Sequence, residues 1–179
     1  MPERGVARSL VEAYVHLDLT TGESERATVA EEPDGWVLSA GDVEVLVPYE
    51  AEDAAQLSGA VFGTGLSELL DPGQWVLVGA TYAERALEGA LYYAADPSDA
   101  EKYDAVAADW SFAAEAVAEA LKFLADEDDE VPVAEFWTET GRSAREADPG
   151  RFTRAKLEGD LAFYRQSLDD FHRLHTADD

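Results

Sequence analysis

Two histidines three residues apart, His172 and His175, lie in the stretch DDFHRLH, with Asp169 and Asp170 just before them. On a helix, two imidazoles and a carboxylate on adjacent turns form a donor set for a divalent transition metal. A zinc site normally needs a closed ligand set, and no third strong ligand is identifiable in a chain without cysteine. No metal or other cofactor is therefore expected, and the pair reads as a cationic helix end complementing the helix dipole. His16, in LVEAYVHLDL, stands alone; as the floor of a pocket it could be a general base, because its pKa can move across neutrality. The chain contains no GxSxG, P-loop or GxGxxG pattern. GAVFGTG resembles a phosphate cradle only superficially, since it lacks the lysine and follows no strand. No catalytic residue is assigned.

The locally basic segment is GRSAREADPGRFTRAK, residues 141–156. In it Arg142 and Arg145 share one helical face, as do Arg151 and Arg154 at the start of the next helix. Guanidinium groups close to a helix N-terminus suit a carboxylate or phosphate, which makes these four arginines the anion-binding candidates. The competing expectation is pairing with the chain's many carboxylates. Upstream, LADEDDEVPVAEF holds five consecutive acids, Asp126 to Glu130, between an apolar helix end and a proline. Carboxylates at a helix C-terminus oppose the dipole, so the run helps to stop the helix and reads as a solvated linker. Its second reading is a contact surface: Asp126, Asp128 and Asp129 steering a partner, with Phe136 and Trp137 as the apolar contact.

Charge governs which partners are admissible. With 39 acidic and 13 basic residues, the 179-residue chain carries a formal net charge of −26. Such a field repels nucleic acid and anionic lipid. The acidity is spread evenly: residues 1–97 sum to −14 and residues 98–179 to −12. With only three lysines, that pattern fits a protein hydrated by carboxylates in high internal salt, as in a halophile. MPERGVARSL has no signal-peptide apolar core and no apolar run approaches a membrane span, so the expected location is cytoplasmic.

The elements that must position these residues are legible by period. The length fits a single domain, 1–179, of α+β class. Alternation in LVEAYVHLDL puts Val11, Ala13, Val15, Leu17 and Leu19 on one face and predicts a half-buried strand. ERATVAEE, WVLSA and VEVLVPY follow, with PDGW a hairpin in which Gly35 takes positive φ. The expectation is a four-stranded antiparallel meander over 10–49, covered by a mostly helical C-terminal half. Residues 50–95 read as mixed: a helix broken near Gly63–Gly65, a buried strand at 74–80, then a helix over 82–95. The rival for the last part is one helix to Ala95 with Pro72 at its first position. From 96 to 175 the period is helical, interrupted by the acidic linker 126–130. A long helix carries Tyr103, Val106, Trp110, Val117 and Leu121, and a short one runs from about Val133 to Ala147. The last places Leu157, Leu161, Tyr164, Leu168 and Phe171 in a seam suited to the Tyr103–Leu124 helix. The same C-terminal helix is the candidate homodimer contact.

The function expected from these features is a non-enzymatic inhibitor or regulator that occludes a more basic protein. In size and charge the chain resembles small acidic immunity proteins that neutralise a cognate toxin, a likeness of composition alone. The alternative is a small-molecule sensor or enzyme with a pocket between sheet and helices. If the acidity is salt adaptation, the thermal midpoint rises steeply from low to molar KCl as carboxylate repulsion is screened. A midpoint independent of salt in a thermal scan contradicts it.

Overall fold

A computed structural model describes residues 4–176, and the chain divides into two compact units, one ending at Leu70 and the other beginning at Asp71. The α+β class holds. The meander does not hold as expected. Its supposed first strand is helix α1 (Leu10–Thr21), and the sheet's fourth strand is instead a short segment, β1 (Gly5–Val6). With β2 (Thr28–Glu32), β3 (Gly35–Ala40) and β4 (Val43–Pro48), the sheet order is β1-β4-β3-β2. β1 runs parallel to β4, and only β2, β3 and β4 form the antiparallel meander.

Why α1 is helical is a matter of caps and of what needs covering. Ser9 is extended, and its hydroxyl accepts from the backbone N–H of Glu12 at 3.0 Å, satisfying one of the four orphan donors of the first turn. Leu10, Ala13 and Leu17, spaced three and four apart, join Leu38, Ala40, Val45 and Val47 of the sheet in one apolar cluster. The sheet's apolar face thus finds its cover within its own unit. Leu17 and Leu38 are fully buried, each contributing about 1.5–3 kcal/mol by removal from water. Gly35 does not take positive φ; a Cβ there would stand 2.2 Å from the Val47 carbonyl oxygen, so its role is close strand approach. Below the sheet, the buried Glu12 carboxylate receives the Arg8 backbone N–H and guanidinium. Arg8 also donates to the Gly65 carbonyl at 2.6 Å. Helix α2 (Tyr49–Ser58) sends the nearly buried Glu52 to the Leu10 N–H at 2.8 Å, a second cap on α1. It ends at Ser58, earlier than the break expected near Gly63–Gly65, because Gly59 takes the left-handed conformation that caps it.

In the second unit the rival reading of 74–80 is correct: α3 is one helix, Pro72–Ala95, with Pro72 in its first turn. α4 (Ala100–Leu121), α5 (Glu139–Ala147) and α6 (Arg154–Thr176) follow. The seam residues Tyr164, Leu168 and Phe171 meet Tyr103, Val106 and Trp110 of α4, together with Ala83, Ala86 and Tyr93 of α3. The expected short helix begins later than its pattern suggests, because Val133–Glu135 is a single 3-10 turn. No helix among the described residues is long and apolar enough to cross a membrane.

One carboxylate organises the start of this unit. Asp71, fully buried, caps α3 by accepting from the Gln74 N–H at 3.0 Å, while Gln74 Oε1 accepts from the Asp71 N–H at 3.1 Å. Its other oxygen receives the Thr138 N–H at 2.8 Å and the Thr138 hydroxyl at 2.7 Å. That hydroxyl in turn accepts from the Gly141 N–H at 2.9 Å and caps α5. Two helix N-termini therefore share one buried negative charge, which their dipoles favour. A Cβ on Gly141 would stand 2.1 Å from both Asp71 oxygens. Gly141→Ala is expected to lower stability by about 2–4 kcal/mol in urea unfolding followed by tryptophan fluorescence, through overpacking and strained charge-assisted bonds. Gly159→Ala on α6, where nothing lies within 4 Å, should be neutral or stabilising by up to about 1 kcal/mol. Equal effects of the two changes contradict the Asp71 junction.

Candidate functional site

Just after α4 come two buried apolar residues, Phe123 and Leu124, where the chain turns and its carbonyls need donors. Arg154 supplies them. Its guanidinium donates to the carbonyls of Ala125 at 2.7 Å, Asp128 at 3.0 Å and, longer, Asp126 at 3.4 Å. Its backbone N–H donates to the Asp129 carbonyl at 2.7 Å. The Val131 N–H completes the attachment by donating to the Phe152 carbonyl at 3.0 Å, beside an isolated bridge between Glu130 and Thr153. The acidic run is thus a clamped loop and not a loose linker. Because its arginine is occupied by main-chain carbonyls, the carboxylates are left over. Among the described residues none of the five side chains from Asp126 to Glu130 takes part in an ion pair or hydrogen bond; all are exposed except Asp128, which is half-buried.

Phe136 and Trp137 part company here. Phe136, 4% exposed, packs edge-to-face on Phe152 with centroids 4.9 Å apart and holds the loop from inside. It presents no surface to a partner. Trp137 is 41% exposed, and its ring lies 5.9 Å from Phe123 at the end of α4 from which the acidic run departs. The half-exposed indole thus packs beside the turn from which the loop of free carboxylates departs.

The four arginines do not converge on a single anion. Arg142 donates to the Trp137 carbonyl at 2.9 Å, and Arg145 lies over the Phe136 ring at 5.9 Å. Arg154 is the clamp, with a looser contact to Glu158 at 3.6 Å. Arg151 lines an open groove of about 500 Å³ beside α5, together with Leu77, Glu139, Ala144, Ala147 and Asp148. This groove is absent from the sequence reading, which placed α5's residues on a helix without showing what faces them. The i, i+4, i+8 spacing of Glu139, Ser143 and Ala147 was the available signal.

The histidines have separate surroundings. His172 Nδ1 lies 2.5 Å from the Tyr103 hydroxyl, and His175 stands edge-on to Tyr93 at 4.7 Å. Asp170 pairs with Arg173. Among the described residues no three His, Cys, Asp or Glu side chains come together in a way that could hold a metal ion. His16 lies on helix α1, with Nδ1 buried and without a hydrogen-bond partner. Burial pushes its pKa below the usual histidine value, against a smaller opposing pull from Glu12. No protein-family model matches the chain, and no curated protein or solved structure does.

The sign of the His16 effect follows from proton counting. A histidine with a depressed folded pKa binds fewer protons folded than unfolded, so its contribution is complete above the unfolded value of about 6.5 and is lost as pH falls below it. His16→Gln should therefore narrow the stability gap from the unaltered protein as pH drops from 7.5 to 5, measured by urea unfolding. A gap that is constant with pH contradicts the burial of a neutral imidazole.

Proposed function

We propose that this is an acidic, non-enzymatic binding protein that occludes a more basic protein partner, with the Asp126–Glu130 loop and Trp137 as the leading edge. The single observation that supports it is the coincidence of five unpaired carboxylates with a half-exposed tryptophan on a loop whose backbone is already fixed. A pre-ordered loop avoids the ordering cost of association. Its charge acts over a Debye length of about 8 Å at physiological salt, enough to speed encounter with a cationic surface. Durable binding needs a desolvated aromatic, and on this edge Trp137 is the residue able to supply it.

The rest of the reading follows from the same charge. At −26 the protein is a poor ligand for nucleic acid or for an anionic bilayer. A cytoplasm with high internal salt is the setting in which so carboxylate-rich a surface is well hydrated. Phe163 and Leu174 stand exposed on α6, at 61% and 73%, and are the residues through which a C-terminal homodimer would form.

The kinetics of capture test the proposal. With a cationic protein recovered from native lysate, the triple change Asp126→Asn, Asp128→Asn and Asp129→Asn should slow association by about tenfold at low salt and little at molar salt. Trp137→Ala should leave association unchanged and speed dissociation by about tenfold or more. A partner whose binding ignores both sets of changes contradicts this edge as the interface.

A further inference from the structure

The groove beside α5 holds three charged side chains, Glu139, Asp148 and Arg151, and among the described residues none of them makes an ion pair or side-chain hydrogen bond. Arg151 makes no ion pair even though Asp148 stands three residues before it, so its guanidinium is open to an anion in the groove. Arg151 supplies the positive charge at its end of the groove, although Asp160 outweighs it at Tyr164 and Lys156 on α6. Leu77, Ala144 and Ala147 supply apolar lining, and Thr140 and Ser143 line the groove as well. At about 500 Å³ the space falls within the usual range for small-ligand sites, and a mainly apolar lining with a few placed polar groups is their usual make-up.

We propose that this groove binds a free basic α-amino acid of the arginine or lysine class. The charges match one for one. Two carboxylates and one guanidinium are complemented by a ligand with two cations and one carboxylate. The arrangement along the groove matches as well. Asp148 and Arg151 sit together at the far end of α5, joined through the turn Pro149–Phe152 by the Arg151 N–H donating to the Asp148 carbonyl at 3.2 Å. An acid and a base side by side receive the α-ammonium and the α-carboxylate, the latter in the forked geometry that guanidinium favours. Glu139 is nine residues earlier, about 13 Å along the axis at 1.5 Å per residue. Once both acidic side chains reach inward, the remaining gap is one that an extended lysine or arginine side chain crosses. The aliphatic stem of that side chain lies on Ala144, Ala147 and Leu77 while its charged end meets Glu139, the usual division of such side chains between apolar surface and polar tip. The inference does not depend on the protein-partner reading, since no residue of the loop or Trp137 lines the groove.

Isothermal titration of the full chain with L-arginine, agmatine and L-glutamine tests it. Agmatine keeps both cations and lacks the carboxylate; L-glutamine keeps the amino-acid end and lacks the side-chain cation. The net field of −26 alone ranks agmatine first, because it carries the larger positive charge. The groove ranks L-arginine first, at one per chain and by at least about tenfold over both analogues, the worth of one charge-assisted pair. Arg151→Gln should bring L-arginine down to the level of agmatine, and Glu139→Gln should weaken L-arginine toward L-glutamine. Circular dichroism confirms that each variant keeps its helices. Agmatine binding as tightly as L-arginine, an L-arginine affinity unchanged in Arg151→Gln, or no saturable binding of L-arginine overturns the proposal.

Discussion

Thirteen cations serve thirty-nine carboxylates, so where each guanidinium goes decides which acids stay free. The chain places its best-positioned arginines on main-chain carbonyls. Arg154 closes the loop after α4 in this way, Arg142 holds the Trp137 carbonyl, and Arg8 joins a buried Glu12 to the Gly65 carbonyl. A hydrogen bond from a charged donor contributes about 1.5–3 kcal/mol, whereas an exposed ion pair contributes about 0–1 kcal/mol. Directing scarce arginines to backbone is therefore the more stabilising use, and it leaves the surface carboxylates unneutralised. The ion pairs that do form on helix surfaces, such as Lys156 with Asp160 or Arg26 with Glu23, are mostly neighbours within one helical turn.

Buried acids follow a complementary rule. Asp71 and Glu52 accept N–H donors at helix starts, and Glu12 pairs with Arg8. Each is a charge removed from water and repaid by donors already aligned by a helix dipole or held in a guanidinium fork. Asp71 does this for two helices at once, which fixes where α5 starts. The place and direction of α5 in turn set the groove, and Thr138 stands next to the exposed Trp137. The start of α5 thus traces back to one residue of the sequence, followed by the Pro72 and Gln74 of its N-terminal cap, while Arg154 holds the acidic loop.

Much of this was legible. The seam of Tyr164, Leu168 and Phe171 and the long α4 that it meets followed from spacing. The α1 segment was misread because LVEAYVHLDL satisfies two periods: alternate residues are apolar, and so are Leu10, Ala13 and Leu17. Ser9 and Glu12, a serine followed three residues later by a glutamate, were the deciding signal, and that cap outweighs the alternation. In 74–80 the β-branched, apolar stretch suggested a strand, but these are the first turns of α3, buried on nearly every side, and Asp71-Pro72 opens a helix. What spacing does not convey is pairing at a distance. That Phe136 turns inward on Phe152 while Trp137 turns outward, and that Arg154 reaches back to Ala125, depend on long-range closure.

The account stands on the acidic loop being pre-ordered by a guanidinium that is not neutralising it. Amide hydrogen exchange measures this directly at Asp128, Val131 and Arg154, whose N–H groups donate within the clamp. In the unaltered protein these amides should be protected, and Arg154→Ala should speed their exchange by about tenfold or more while amides in the middle of α3 and α4 are unchanged. Exchange at the rate of an unstructured chain in the unaltered protein, or protection that survives Arg154→Ala, would contradict it.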